Sequence, residues 1–299
     1  MSAETVHLFL NPVAGRGRAR KRSARIRELL GGGDFPLEVH LSQHVGDLEE
    51  LVRLCVDNGG RRIITAGGDG SVHEACNGIM RANGEATLGV IPTGTGNDFA
   101  KAAGISLDWE KATLLLADRI TAGVQSRAVD VGRMNDRYFA NGAGVGFDAR
   151  VNRIARSYRL PMGDLVYLLA VFRGMAEGIA TPHMRISTDG DVRTGPITLA
   201  NVASGPWVGG MFKIAPMARN DDGKFDLLIV APVSRPRILA LLPKLMAGKH
   251  MGEKEITHEP VTRILIESDE PVDSHLDGEM QPMQKRFEIE LLAGVLHLF

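Results

Sequence analysis

The stretch Arg62-Ile63-Ile64-Thr65-Ala66-Gly67-Gly68-Asp69-Gly70-Ser71 runs from an apolar strand signal into a glycine-rich turn, and then into a helical pattern spanning Val72 to Met80. Glycine permits positive φ and, with no Cβ, lets backbone N–H groups come close to a phosphate. The helix that follows adds unpaired N-terminal N–H groups and the positive end of its dipole, so an anion is favoured there. An aspartate in such a turn repels phosphate unless a cation or a hydroxyl offsets it. Gly67, Gly68, Asp69, Gly70 and Ser71 together point to a nucleotide site that works with Mg2+.

Upstream, the apolar run Val6 to Leu10 ends in Asn11-Pro12, a turn signal. A basic helical stretch follows, with Ile26, Leu29 and Leu30 on one face, and stops at Gly31-Gly32-Gly33. Leu37 to Leu41 alternates like a strand, and Leu48, Leu51, Val52 and Cys55 recur at helical spacing. Downstream, the strand Leu88 to Ile91 leads into a second glycine-rich turn, Pro92-Thr93-Gly94-Thr95-Gly96-Asn97-Asp98. This βαβα order predicts a mostly parallel sheet with helices on both faces. Such a sheet gathers the C-terminal ends of its strands on one side, where ligands bind. The segment Asn11-Pro12-Val13-Ala14-Gly15 and the Pro92 to Asp98 turn are therefore expected to converge with Gly67 to Ser71.

Beyond Ala128 the pattern changes to short alternating strands, which predict a β-sandwich or meander. They cover 129–134, 138–141, 184–187, 197–202, 225–230, 264–267, 272–276, 286–291 and 295–299. Helical segments near Gly163 to Ala176 and Arg235 to Ala247 interrupt them. The break falls near 121–128, dividing a nucleotide-binding α/β domain (1–125) from a β-rich domain (126–299).

Composition excludes several classes of function. The 299 residues carry 35 Lys and Arg against 36 Asp and Glu, and aromatic residues make up 5%, so neither a basic nucleic-acid surface nor a stacking platform is expected. The two cysteines, Cys55 and Cys76, show no metal spacing and suit a reducing cytosol. The nine histidines show no ligand cluster in the sequence. No signal peptide is legible, and no apolar stretch approaches the roughly 20 residues that span a bilayer. The expected location is cytoplasmic, at most peripheral to the inner face of the membrane. A homodimer is compatible with the chain, whose oligomeric state the sequence leaves open. Neither Gly-x-x-x-x-Gly-Lys-Ser/Thr nor a Gly-x-Gly-x-x-Gly after the first strand occurs.

The runs Asn11-Pro12-x-x-Gly15, Gly67-Gly68-Asp69-Gly70-Ser71-x-x-Glu74-x-x-Asn77-Gly78 and Pro92-x-Gly94-Thr95-Gly96-Asn97-Asp98-Phe99 resemble the diacylglycerol-kinase catalytic family, which includes sphingosine and ceramide kinases and is related to NAD kinase. The resemblance continues through Asp130-Val131-Gly132, Asn141-Gly142-x-Gly144-x-Gly146-Phe147-Asp148, Asn220-Asp221-Asp222-Gly223-x-x-Asp226 and Leu276-Asp277-Gly278-Glu279. It implies a nucleotide-binding α/β domain and a β-rich domain with the active site in the cleft between them. The implied activity is transfer of the ATP γ-phosphoryl group to a lipid hydroxyl. It also implies that Gly67 to Glu74 hold nucleotide phosphates and ribose, with Asn11, Pro12, Gly15, Ser42, Gly94, Thr95 and Asn97 nearby, and that Asp69 and Asp98 position Mg2+. Glu279 matches the family's general base, with Asp277 as a second carboxylate beside it. Asp222, with the backbone carbonyls of Arg219 and Lys224, matches a structural Mg2+ site, although the same residues also read as an acidic turn. An NAD-kinase-like enzyme acting on a soluble alcohol and a catalytically silent nucleotide sensor stay open as alternatives.

Two basic runs remain. Arg16, Arg18, Arg20, Lys21, Arg22, Arg25 and Arg27 crowd one early segment, where some could meet phosphate near Gly15. Arg150, Arg153, Arg156 and Arg159 recur every third residue beside Tyr158, Leu160 and Met162. This second run reads either as a surface for anionic lipid or as a solvated helix face.

Overall fold

The computed structural model describes residues 4–12, 14–158, 163 and 165–299, leaving aside the side chains of 14–16 and 18. The chain forms two compact units, Met1–Val129 with Gly294–Phe299, and Asp130–Ala293.

The first unit alternates β1 (Val6–Leu10), α1 (Ala14–Gly31), β2 (Leu37–Leu41), α2 (Asp47–Asp57), β3 (Arg62–Gly67), α3 (Asp69–Arg81), β4 (Thr87–Pro92), α4 (Asp98–Ala102) and α5 (Trp109–Thr121). The strands lie in the order β2-β1-β3-β4, all parallel. The three inner strands are buried nearly throughout, as the near-continuous apolar runs of a sheet covered on both faces require. Val6, Leu8, Leu10, Ile64 and Ile91 pack with Ile26 and Leu30 of α1 and Leu116 and Ile120 of α5. In α5 the Asp108 side chain accepts the amides of Glu110 and Lys111, which fixes the helix start. The last residues join this unit, with His297 and Leu298 pairing in parallel with Thr87 and Leu88 of β4 and Phe299 entering the same core. The sequence break at 125/126 therefore does not mark off every residue of the first unit. The final strand is a continuation of a longer one, and nothing in its local pattern says which sheet it joins.

The second unit contains β5 (Arg127–Met134, which begins in the first unit), β6 (Arg137–Phe139), β7 (Gly142–Gly146), α6 (Phe147–Ser157), α7 (Leu165–Glu177), β8 (His183–Thr188), β9 (Val192–Pro196), β10 (Leu199–Ala203), β11 (Phe225–Val230), α8 (Arg235–Met246), β12 (Ile256–Val261), β13 (Arg263–Leu276) and β14 (Glu279–Leu298). Its pairings are antiparallel, in the order β12-β11-β10-β7-β13-β14, with β8 and β9 extending from β13. The segments 264–267 and 272–276, expected as two strands, form one, with register shifts between Glu267 and Val272 and between Val272 and Ser274. Such irregularities bend a strand, and β13 pairs with β8 in its first half and with β7 in its last three residues. Phe139, Val145, Val202, Phe225, Leu227, Ile266 and Phe287 form the sandwich core. Gly132 serves that core, because a Cβ there would stand 2.0 Å from the Phe139 ring, which stacks on Phe225. A second cluster joins α6, α7 and α8 through Phe147, Ile154, Val171, Met175, Ile238 and Leu242.

Among the described residues, no helix is long and apolar enough to cross a membrane.

Candidate active site

In the first unit, the register of the parallel sheet decides where the motif residues stand. Leu10 pairs with both Leu41 and Ala66, and Gly67 pairs with Pro92, so four strand ends lie side by side. Just beyond them, the Asn11 amide donates to the Ala66 carbonyl at 3.5 Å, Ser42 to Leu10 at 3.0 Å and Thr93 to Gly67 at 2.8 Å. The two glycine turns touch through their backbones: a Cβ on Gly94 would stand 2.4 Å from Gly68 Cα. Asn97, in the left-handed region at φ 52°, ties its own turn together, with its Oδ1 accepting the Gly94 amide and its Nδ2 donating to the Gly94 carbonyl.

One expectation about the turns needs correction. Asn11 and Pro12 do lie at a strand end, but Gly15 belongs to α1, which starts at Ala14; Val13 is outside the described residues. Ser71 is 2% exposed within the first turn of α3, so its hydroxyl is sealed. Glu74 has a packing task that the sequence did not disclose: its Oε2 accepts the Leu48 amide at the start of α2. Gly78 serves the same junction, where a Cβ would lie 2.6 Å from the Glu49 carbonyl oxygen.

Asp69 opens α3, and its Oδ1 accepts the Phe99 amide at 3.1 Å, joining this turn to the start of α4. Asp98, 6% exposed, is the residue before that amide and pairs with Lys101 Nζ at 3.0 Å. The N-cap of α3 is Gly68, which has no side chain of its own to cap with, and the helix dipole favours an anion at this end, near exposed Thr95. Of the early basic run, Arg22 lies over the Trp109 ring and Arg25 pairs with Glu28, while the side chains of Arg16 and Arg18 fall outside the described residues.

In the second unit, Glu279 stands at the end of a two-residue hairpin. Leu276 pairs with Glu279, and Asp277 and Gly278 between them have φ of 51° and 85°. Asp-Gly is the dipeptide suited to this turn, since both of its positions require positive φ. Asp277 is not a second carboxylate standing beside Glu279 in a shared approach. Its Oδ2 accepts the Ala140 amide at 2.9 Å, and its Oδ1 accepts those of Asn141 at 2.8 Å and Gly142 at 3.0 Å. Arg156 of α6 reaches the hairpin, with its NH1 nitrogen 2.8 Å from Glu279 Oε2 and 2.9 Å from the Gly278 carbonyl. The hydrogen bond to Glu279 pushes the Arg156 pKa up, so this cation is permanent. Asn152, one turn earlier, donates to the same carbonyl at 2.6 Å.

Beneath the hairpin, the Gly278 amide donates to His275 Nδ1 at 3.3 Å, which leaves Nε2 to carry the ring proton. That nitrogen lies 3.7 Å from Asp148 Oδ2, and Asn201 Nδ2 donates to the same oxygen at 3.0 Å. Gly144 makes the space, since a Cβ there would fall 2.2 Å from Asp148 Oδ2 and 2.5 Å from His275 Nε2.

The Arg150, Arg153 and Arg156 row is thus not an unattached basic face. Arg150 pairs with Glu177, Arg153 with Asp273 and Arg156 with Glu279. The spacing was legible, but the carboxylates that meet it come from distant segments. Arg159, Leu160 and Met162 lie outside the described residues. In the Asn220 to Lys224 turn, Asp222 is exposed and its Oδ1 accepts the Lys224 amide, while Asp130 Oδ2 accepts the Gly223 amide and Arg219 pairs with Asp221.

A parallel α/β unit with glycine turns at adjoining strand ends is followed by an antiparallel sandwich with a carboxylate on a tight hairpin. Residues 5–134 match the diacylglycerol kinase catalytic domain, and residues 142–299 match the YegS C-terminal NAD kinase beta sandwich-like domain. The diacylglycerol kinase of Bacillus subtilis (strain 168) is 30% identical over 273 residues, covering 91% of this chain and 88% of that protein. A Pseudomonas aeruginosa (strain PAO1) protein named "Probable lipid kinase YegS-like" is 30% identical over 264 residues, 88% of this chain and 84% of its own. The crystal structure of a diacylglycerol kinase from Bacillus anthracis str. Sterne shares the fold at TM-score 0.73 and 24% identity, covering 99% of this chain and 96% of that one. The chain belongs to the diacylglycerol kinase and YegS-like lipid kinase family.

Proposed function

We propose that this protein is an ATP- and Mg2+-dependent lipid kinase that transfers the γ-phosphoryl group to the hydroxyl of diacylglycerol or a related lipid, in the cytoplasm and at the membrane surface. The observation that carries this reading is Glu279, a carboxylate at the end of a two-residue hairpin anchored by Asp277 and held by Arg156. Phosphoryl transfer asks little of the protein beyond positioning, neutralisation of charge and an acceptor for the hydroxyl proton. In the proposed step the lipid hydroxyl gives its proton to Glu279 while its oxygen bonds to the γ-phosphorus. The bond from that phosphorus to the departing ADP oxygen breaks.

The start of α3, with the Gly68 and Gly94 backbones beside it, suits a phosphate chain, and Asp69 and Asp98 supply the hard oxygen donors that Mg2+ prefers. Bound there, Mg2+ would neutralise triphosphate charge. Asp69→Asn keeps an oxygen for the Phe99 amide yet removes the negative charge, so the Mg2+ concentration needed for half-maximal rate should rise about tenfold or more. An unchanged Mg2+ dependence would remove Asp69 from the metal set. Asp277 is assigned a positioning role. A second cation held by Asp222 with the Arg219 and Lys224 carbonyls belongs to the same proposal.

The lipid reading has its own support. Leu165, Leu169 and Phe172 of α7 recur at i, i+4 and i+7 and are 50%, 37% and 45% exposed. An exposed apolar stripe of this kind suits the interfacial layer of a bilayer. Leu169→Glu combined with Phe172→Glu should reduce flotation with phosphatidylglycerol vesicles several-fold, and undiminished flotation would dismiss the stripe as the contact. The function itself is tested by incubating the protein with labelled ATP, Mg2+ and a panel of dispersed lipids alongside soluble alcohols. Label in a lipid product is expected; label only in a soluble product would reverse the assignment.

A further inference from the structure

One side-chain cluster in the first unit takes no part in the site described above. His7 of β1 pairs in register with Glu38 of β2, and Phe9 pairs with His40. Side chains alternate along a strand, so His7, Phe9, Glu38 and His40 share one sheet face, opposite the face buried with α1 and α5. Cys55 reaches the cluster from α2, which packs against β1. His7 Nδ1 lies 3.3 Å from His40 Nε2, and Cys55 Sγ completes a group whose ligand atoms all lie within 4.8 Å of one another. Glu38 Oε2 is 3.3 Å from the same His7 nitrogen. A cavity of about 530 Å³ opens beside these groups.

We infer that His7, His40 and Cys55 bind a divalent transition-metal ion of the zinc class. Two imidazole nitrogens facing each other repel unless a proton or a cation lies between them. Zn–N bonds of 2.0–2.1 Å at a tetrahedral angle put two ligand nitrogens about 3.3 Å apart, matching the observed separation. Imidazole and thiolate are donors that zinc takes in proteins, whereas Mg2+ prefers oxygen alone. The surroundings hold these donors in place. The His40 ring stacks on Phe9 at 4.6 Å between centroids. Gly60 leaves room for the thiol, because a Cβ there would stand 2.4 Å from Cys55 Sγ. Arg61 lines the cavity, but its guanidinium donates to the Val56 carbonyl at 3.0 Å. The ion would clamp the edge strand β2 to β1 and α2. This inference stands apart from the kinase reading.

The test uses the untagged full chain, stripped with a chelator and titrated with Co2+. One equivalent is expected to give the absorption of tetrahedral Co2+ with thiolate charge transfer, displaced by Zn2+. Cys55→Ser should lose the charge-transfer band, and His40→Gln should weaken Zn2+ binding at least tenfold. Zn2+ should raise the melting temperature of the parent and not that of Cys55→Ser, as expected when a ligand binds only the folded state. Absence of a tetrahedral Co2+ spectrum, or a spectrum unchanged in Cys55→Ser, would overturn the site.

Discussion

Glu279→Gln is expected to lower lipid phosphorylation by about a hundred- to ten-thousand-fold, the range that loss of a positioned general base produces. Glutamine keeps the shape of the side chain and can still meet Arg156, but it accepts no proton from the attacking hydroxyl. The fold should tolerate the change. Side chains 28% and 44% exposed form the Glu279–Arg156 pair, and ion pairs this close to solvent contribute at most about 1 kcal/mol. Nucleotide affinity should stay at the parental value, because the glycine turns and Asp69 are untouched. Equilibrium ATP binding and single-turnover rates on the purified variant separate these effects. Turnover within a few-fold of the parent would remove Glu279 from the chemistry, and loss of ATP binding would point to a structural role instead.

Asp277→Asn should act on both stability and rate. The carboxylate accepts three consecutive backbone amides, from Ala140, Asn141 and Gly142, and so anchors the hairpin to the segment leading into β7. Asparagine tolerates the left-handed backbone at φ 51° as well as aspartate does, so the turn itself is not strained by the swap. It presents one acceptor oxygen and one NH2 group, however, and the NH2 group faces amides that can only donate. Hydrogen bonds to a charged acceptor are worth about 1.5–3 kcal/mol each, and at least one would be lost, so destabilisation of about 2 kcal/mol is expected. Denaturant midpoints should register it. Turnover should fall more than tenfold, because small displacements of a reacting group are costly. ATP affinity should hold. A variant as stable and as active as the parent would show that the hairpin does not depend on this anchor.

The parent and Glu279→Gln proteins together make the vesicle assay informative, since α7 binding to a bilayer should be indifferent to the hairpin. A protein that floats with vesicles but turns over no lipid would separate membrane contact from catalysis.

Much of the architecture was legible in the residues. Continuous apolar runs such as Ile63-Ile64-Thr65-Ala66 read as strands buried on both faces, and the glycine turns after them marked the strand ends. The alternating segments beyond Ala128 announced antiparallel sheet. Local spacing also disclosed the arginine row of α6, because helical periodicity is a property of neighbours in sequence. The partners of those arginines were not legible. Arg153 meets Asp273 and Arg156 meets Glu279 across more than a hundred residues, and no local pattern encodes that meeting. Gly15 was read as a turn residue, yet α1 starts before it. The same limit hid the His7, His40 and Cys55 cluster, whose members come from two strands and a helix.

The sequence alone determined the alternation of strands and helices from Val6 to Pro92, the two glycine turns and the residue types fit for nucleotide chemistry, because hydrophobic period and backbone permissiveness act over a few residues. Tertiary structure alone decided that Gly68 and Gly94 touch, that Asp277 anchors the hairpin and that Arg156 orients Glu279. Those outcomes depend on sheet register and helix packing, which bring together atoms far apart in the chain only once the core has closed.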